Sequence, residues 1–172
     1  MIFFTADLHL SHRNIIKYCN RPFSSVEEMN NTIINNWNKK VNDNDTVYIL
    51  GDLAFGRCNE ELSVMKGEKI LIIGDHDIDI DIRAGFRLQK FALLNAKFDG
   101  QYITLCHWCM RVWAKSHYNS WQLFGHSHGQ LPSIGKSHDV GVDANNFSPL
   151  SLDEIIELMK NKPDNFNLIR RT

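Results

Sequence analysis

The stretch IFFTADLH, residues 2–9, places a short apolar run directly before a carboxylate and an imidazole. Near-continuous apolar character over residues 2–6 is typical of a strand in a sheet that is buried on both faces. Five further runs share this character, at residues 46–50, 69–73, 102–106, 121–124 and 139–142. The sequence therefore predicts a series of short buried strands.

Helices are predicted between and after these strands. The segment SSVEE at residues 24–28 is a capping-box pattern, which predicts a helix running to about Lys40. Residues 59–65 predict a shorter helix, and Ser151 begins a last helix with an apolar face. This order predicts the fold class α/β, with two mixed β-sheets packed face to face and flanked by helices. A length of 172 residues suits a single domain over residues 1–172.

Composition and charge limit which binding partners and which cellular compartment are expected for this chain. Nineteen Lys and Arg against twenty Asp and Glu give a formal net charge of −1, so nucleic acid is permitted as a partner but not favoured. No apolar stretch approaches the ~18 residues of a membrane span, and the first ten residues lack the basic start of a signal peptide. Four irregularly spaced cysteines favour reduced thiols and a cytoplasmic location. Nothing in the surface pattern specifies an oligomer.

Carboxylate and imidazole side chains follow the ends of five apolar runs. The seven candidates are Asp7, His9, Asp52, Asp75, His107, His126 and His128. Ligand-binding residues of α/β folds cluster beyond the carboxyl ends of strands, so these side chains are expected to meet at one edge. Such oxygen and nitrogen donors suit divalent metals. Each segment alone is weak evidence, but five segments in this arrangement predict a metal site.

Local spacing predicts how the donors are shared. Asp7 and His9 alternate along a predicted extended backbone, so both are expected to reach one ion. Asp52 follows a glycine that permits close approach, and its two oxygens can bridge ions about 3.5–4 Å apart. His126 and His128 also alternate, so one loop can supply a ligand to each of two metals.

In this order the segments resemble the DxH, GD, GNHD, strand-His and GHxH motifs of the calcineurin-like metallophosphoesterases. The resemblance covers essentially the full length. The stretch from residue 120 through 129 and on to 139–144 further resembles small phage and bacterial members without a cap domain. It implies a first metal on Asp7, His9, Asp52 and His128, and a second on Asp75, His107 and His126, with Asp52 shared. It also implies two divalent ions, with manganese expected first and iron, zinc or nickel as alternatives.

The same resemblance implies an enzyme, a two-metal-dependent phosphoesterase. It would hydrolyse phosphomonoesters or phosphodiesters, including nucleotides, by a metal-bound hydroxide. Two cations can acidify water and neutralise phosphoryl charge, so no serine or cysteine nucleophile is needed. The resemblance implies that His76 stabilises the transition state or protonates the leaving oxygen. Asp77 is placed to orient that imidazole, with a plain salt link as the alternative.

Asp75 departs from the pattern, which has Asn at this position. An ionised Asp offers only hydrogen-bond acceptors, whereas Asn adds an N–H for the phosphate. Metal binding is expected to survive, but loss of one transition-state donor typically costs ~10²–10³ in rate. Reduced hydrolysis is therefore expected for the chain as written.

Further residues are candidates around the centre. His12, Arg13, Arg57 and Arg111 are candidates for substrate binding, because arginine can clamp phosphate with two hydrogen bonds. An ordinary surface loop is the alternative for each of them. Downstream of GHSH, Asp139, His138 and Asp143 are candidates to orient its histidines, with a simple turn equally open.

Two other functions stay open at this stage. A binding or scaffold protein on a disabled hydrolase fold is one, although such proteins lose the catalytic and GHxH histidines that this chain keeps. A metal-dependent nuclease is the other, and the net charge weakens it.

Overall fold

The computed structural model describes residues 1–56, 58–77, 86–89 and 92–169, and it contains two mixed sheets. The first has five strands in the order β4-β3-β2-β1-β9. Its strands are β1 (Ile2–Thr5), β2 (Thr46–Leu50), β3 (Glu68–Ile72), β4 (Phe86–Gln89) and β9 (Leu150–Ser151). Strands β1 to β4 are parallel, and β9 pairs antiparallel with β1.

The second sheet has four strands in the order β5-β6-β7-β8. Its strands are β5 (Leu93–Phe98), β6 (Gln101–Cys106), β7 (Trp121–Phe124) and β8 (Ser137–Asp139). The first two form an antiparallel hairpin, whereas β6, β7 and β8 run parallel. The parallel strands of both sheets therefore place carboxyl ends where loops can carry ligands.

Four α-helices accompany the sheets in the described part of the chain. They are α1 (Ile15–Tyr18), α2 (Val26–Lys40), α3 (Asn59–Val64) and α4 (Leu152–Lys160). The predicted cap of α2 is present, since the Ser25 hydroxyl accepts a 3.1 Å hydrogen bond from the Glu28 amide. Ser151 and Glu154 form a reciprocal capping box that starts α4. Within these residues, no helix has the length and apolar character that crossing a membrane requires.

Side-chain alternation along β1 separates two hydrophobic layers. Phe3 packs into the cluster that holds Ile33 and Trp37 of α2. Its neighbour Phe4 points the other way, into the cluster that contains Leu105 of β6 and Leu123 of β7. The fold is thus an α/β sandwich of two mixed sheets flanked by helices, which confirms the fold class predicted from the sequence.

Some strands differ from the sequence prediction. The strand expected at 139–142 lies at Ser137–Asp139, and residue 141 instead forms an isolated bridge to Ala6. Strand β5 was not predicted, because its residues are largely half-buried or exposed and include Asn95 and Lys97. Strands β4 and β9 were also missed, and β9 has only two residues.

We predict that the inter-sheet cluster contributes strongly to stability. Met159 of α4 is buried in that cluster, whereas its neighbour Leu158 is 38% exposed. Met159→Ala should lower the free energy of unfolding by about 2–5 kcal/mol, because it leaves a cavity. Leu158→Ala is the matched control on the same helix and should cost less than about 1 kcal/mol. Urea unfolding of both variants measures the difference, and equal losses would contradict this packing.

Candidate metal centre

The seven predicted ligands meet where strands of the two sheets end. In the first sheet, Asp7 and His9 follow β1, Asp52 follows β2 and Asp75 follows β3. In the second sheet, His107 follows β6, and His126 and His128 follow β7. Parallel strands bring their carboxyl ends to one edge, so the topology itself gathers these side chains.

The donor atoms fall into two groups of three. Asp7, His9 and His128 form one group, and Asp75, His107 and His126 form the other. In each group, one ligand atom per residue lies within 4.8 Å of the other two. These groups match the two metal-ligand sets that the motif resemblance implies, except that Asp52, the carboxylate expected to be shared, is not a member of either group.

Asp52 lies between the two groups. Its Oδ2 is 3.4 Å from Nε2 of His9, a member of the first group. The same oxygen is 3.6 Å from Nε2 of His107, a member of the second. Asp52 also groups with Asp7 and His107 as a third possible donor set. A single carboxylate therefore faces both groups, as a bridging ligand would.

Backbone conformation at the ligands differs from the predicted extended geometry. Positive φ angles occur at Asp7 (56°), His9 (49°), Asp52 (54°), His126 (65°) and His128 (48°). The expectation that Asp7 and His9 alternate along extended backbone was therefore wrong, because tight left-handed turns direct these side chains instead. Each such residue costs about 1–2 kcal/mol relative to right-handed backbone, and strain of this kind clusters at functional sites.

Two imidazoles have their proton position fixed by a hydrogen bond. Nδ1 of His107 lies 2.8 Å from the Leu50 carbonyl oxygen, which can only accept, so Nδ1 carries the proton. Nδ1 of His128 lies 2.7 Å from Oδ2 of Asp143 and donates in the same way. In the neutral form of each ring, Nε2 is then the unprotonated nitrogen, which is the arrangement that metal-binding histidines use. Nε2 of His107 lies 3.3 Å from Nδ1 of His126, a member of the same donor group.

Burial is not fully compensated by the protein at two of the donors. His9 is 1% exposed, its Nε2 has no hydrogen-bond partner, and burial followed by nearby Arg21 lowers its pKa to about 2. Asp7 is fully buried, and desolvation raises its pKa to about 8. A divalent cation would accept the free imidazole lone pair and stabilise the buried carboxylate. The residues present therefore fit a bound metal.

An arginine that sequence reasoning missed supports the first group. Arg21 is buried, and its Nη2 donates to the Asp7 carbonyl at 2.7 Å, while its Nη1 donates to the Leu8 carbonyl at 3.0 Å. Its Nε and Nη2 also donate to the two carboxylate oxygens of Asp143, each at 2.8 Å. Arg21 belongs to no motif and lies in a loop after α1, so the sequence carries no signal for this role.

The three acidic and imidazole residues after GHSH have different roles. Asp143 orients His128, which is one of the two alternatives that the sequence left open. Asp139 instead shapes the loop, since its Oδ2 accepts from the Ser127 hydroxyl at 2.7 Å and the Gly129 amide at 2.9 Å. His138 lines a separate groove with Lys40 and Glu154.

Asp75 occupies the open side of the centre. Its side chain is 48% exposed, and its Oδ2 lies 3.3 Å from Nδ1 of His126 and 3.9 Å from Nε2 of His107. The same oxygen accepts a 3.2 Å hydrogen bond from the indole N–H of Trp108. Trp108 directly follows His107 in the sequence.

His76 and Asp77 have separate environments. His76 is exposed, its ring centroid is 5.5 Å from that of His9, and its amide donates to Oδ1 of Asp52 at 3.0 Å. Asp77 is buried, and its oxygens accept from the amides of Asp52 (2.8 Å), Leu53 (2.9 Å) and Gly74 (2.8 Å).

The predicted role of Asp77 in orienting the His76 ring is therefore corrected. Both Asp77 oxygens are engaged by backbone amides from the loops after β2 and β3. Burial raises the pKa of this carboxyl group despite these hydrogen bonds. Asp77 thus ties together the loops that follow β2 and β3.

The predicted substrate-binding residues are not all brought together. His12 lies at the centre, with its Nδ1 3.3 Å from Nδ1 of His9. Arg13 is exposed and lines a small pocket with Ile16 and Ser24 that none of the seven ligands line. Arg111 is exposed, with its guanidinium 5.5 Å from the Phe166 ring centroid. Arg57 lies outside the described residues.

We predict that Gly51 is required for assembly of the centre. A Cβ at this position, where φ is +86°, would lie 2.5 Å from Nδ1 of His107 and 2.7 Å from Cα of Gly74. Gly56 is a matched control, because its φ is +84° and a Cβ there meets nothing within 4 Å.

Gly56→Ala should therefore cost only the conformational strain, about 1–2 kcal/mol of unfolding free energy. Gly51→Ala should cost more than about 4 kcal/mol, because backbone must also move. Urea unfolding compares the two variants. Similar losses in both would show that the close approach at Gly51 is tolerated.

No known family model matches the chain. A solved structure of a protein of unknown function, AQ665 from Aquifex aeolicus, shares the fold with a TM-score of 0.70. The two sequences are 24% identical, and the alignment covers 92% of this chain and 98% of that one.

Two relatives are similar in sequence. The Gene 66 protein of Mycobacterium phage L5 is 35% identical over 80 residues, which are 43% of this chain and 38% of that protein. The uncharacterized protein MJ1445 of Methanocaldococcus jannaschii is 38% identical over 171 residues, covering 92% of this chain and 91% of that protein. The length and identity of this second match show that the chain belongs to the same protein family as MJ1445.

Proposed function

We propose that this chain is a two-metal-dependent phosphoesterase that hydrolyses phosphomonoesters or phosphodiesters. The observation that carries the proposal is the pair of three-residue donor groups with the Asp52 carboxylate between them. Carboxylate and imidazole donors suit manganese, iron, zinc or nickel. The order of the motifs, which resembles that of the calcineurin-like metallophosphoesterases, supports the same assignment.

Two divalent ions, when bound, would acidify water at neutral pH and neutralise charge on the phosphoryl oxygens. The chain's own contribution is to fix the donors before substrate arrives. Leu50 and Asp143 hold the His107 and His128 rings through Nδ1, which leaves Nε2 as the metal-facing nitrogen of the proposal. Because these hydrogen bonds already exist, the donors need no reorganisation during the reaction.

His76 is the proposed proton donor to the leaving oxygen. Its exposed ring stands beside His9, and its amide is hydrogen-bonded to Oδ1 of Asp52. A group at this position can reach a phosphoester bound at the open side without itself being a ligand. Asp77 acts as a positioning residue, since its contacts fix Asp52 relative to the loop that carries His76.

The proposed site of action is the cytoplasm. The four cysteines, Cys19, Cys58, Cys106 and Cys109, are all free. Free thiols suit a reducing compartment.

We predict two bound ions per chain and turnover that depends on them. Calorimetric titration with Mn²⁺ should give a stoichiometry near two. Hydrolysis of bis-p-nitrophenyl phosphate or p-nitrophenyl phosphate should require Mn²⁺ and be lost with a chelator. Asp52→Asn should weaken metal binding by more than the ~10–100-fold that loss of an outer-shell partner costs.

Asp99→Asn is the matched control for that variant. Asp99 is exposed in the β5–β6 turn and also has a positive φ, 46° against 54° at Asp52. Asparagine tolerates this conformation, so backbone strain is the same in both variants. Absence of both metal binding and turnover, even in Asp75→Asn, would end the enzyme proposal and favour a scaffold role.

We predict that Asp75→Asn increases turnover. The Asp75 carboxylate accepts a hydrogen bond from Trp108 and faces His126. The amide oxygen of an asparagine at this position can keep both contacts. The added N–H would donate to the phosphoryl group, and removal of one negative charge would favour an anionic substrate. The expected rise in kcat is up to ~10²–10³ at saturating Mn²⁺. Equal rates in the two proteins would contradict this role for Asp75.

A further inference from the structure

Three aromatic rings continue outward from the metal centre. We define Tyr18, His12 and Phe55 as the aromatic ledge. The His12 ring stacks on Phe55 with centroids 4.7 Å apart and planes 18° apart, and it meets Tyr18 edge-on at 6.3 Å. On its inner side His12 is 5.3 Å from the ring of His9, one of the proposed ligands. The ledge is thus continuous with the centre.

The two outer rings belong to largely exposed residues. Phe55 is 57% exposed and Tyr18 is 69% exposed. One face of Phe55 lies on His12, so its exposed area leaves the opposite face open to solvent. The ledge can therefore accept a flat group.

Its backbone is held by the loops that carry the ligands. The Phe55 amide donates to the Leu10 carbonyl at 2.9 Å, next to the isolated bridge between Leu10 and Ala54. The His12 amide donates to the His9 carbonyl at 3.1 Å. The backbone that carries Phe55 and His12 is therefore held next to the metal centre, which lowers the entropy lost when a ligand stacks on these residues.

We infer that the aromatic ledge binds the base of a nucleotide whose phosphate lies at the metal centre. Aromatic rings offer stacking that tolerates any base, because every base has a π face. The Phe55 ring is also 6.4 Å from that of His76, the proposed proton donor, so base and phosphate sites are neighbours. This inference rests on the proposed function and assigns nucleotide esters as its substrate class.

The test compares two ligands that differ only in the base. Binding of AMP and of ribose 5-phosphate to the Mn²⁺-loaded protein is measured by calorimetry, and released phosphate is assayed in the same samples. AMP should bind about tenfold more tightly, within the range that one stacked base gives. Binding and turnover are thus separate readouts. AMP preference without turnover of any ester would reject the proposed hydrolase activity but keep the base site.

Variants assign the preference to the ledge. Phe55→Ala should reduce the AMP preference to about twofold or less, whereas Phe55→Trp should retain it, because a π face remains. Affinity for ribose 5-phosphate should be the same in both, which shows an intact metal centre. Phe166→Ala is the matched control, since Phe166 is 59% exposed and contacts Arg111 instead. It should leave both affinities unchanged.

Two results would overturn the inference. Equal affinity of the unaltered protein for AMP and ribose 5-phosphate, including no binding of either, would show that no base site exists. An AMP preference that persists in both Phe55→Ala and Tyr18→Ala would place the base elsewhere.

Discussion

Burial of the Asp7 carboxylate is the constraint on which the centre depends. Asp7 follows β1 and lies where the first sheet meets the loops after β7 and β8. A Cβ at Gly125 would be 2.8 Å from its Oδ2, and one at Gly141 would be 2.5 Å from it. The two sheets can therefore close around this carboxylate only because glycines approach it. The His126 amide donates to both oxygens, which connects the second sheet to the first.

The surrounding charges leave Asp7 available to a cation. Arg21 donates a hydrogen bond to the backbone carbonyl of Asp7, not to its carboxylate. The positive charge of Arg21 is instead paired with the carboxylate of Asp143. A buried ion pair of this kind is costly unless its hydrogen bonds are satisfied, and here both carbonyl and carboxylate oxygens accept from the guanidinium. Asp143 also fixes the ring of His128. The buried pair of Arg21 and Asp143 therefore positions one proposed ligand, His128, without neutralising the Asp7 carboxylate.

Sequence pattern predicted the sandwich and the juxtaposition of the candidate donors because parallel strands impose a simple rule. Apolar runs mark strands, and polar residues just after them must meet at one edge. That rule says nothing about contacts between distant loops, so the roles of Arg21 and Asp77 could not be predicted. Asp77 is adjacent to His76 in sequence, yet its partners include the amide of Asp52, 25 residues away. Left-handed turns at the ligands were also missed, because tertiary closure imposes them on residues that can adopt other conformations.

Exposure divides the centre into an inner and an outer half. Asp7, His9 and His107 are buried, whereas the side chains of His126 and Asp75 are 52% and 48% exposed. Low dielectric surroundings strengthen the attraction between the inner donors and a cation, and water competes more with the outer donors. Under the proposed function, substrate therefore approaches the outer half, the side on which His76 is exposed. The charge of Asp75 lies on that same side, so under the same proposal it would act on an approaching phosphate more than on an ion held by the inner donors.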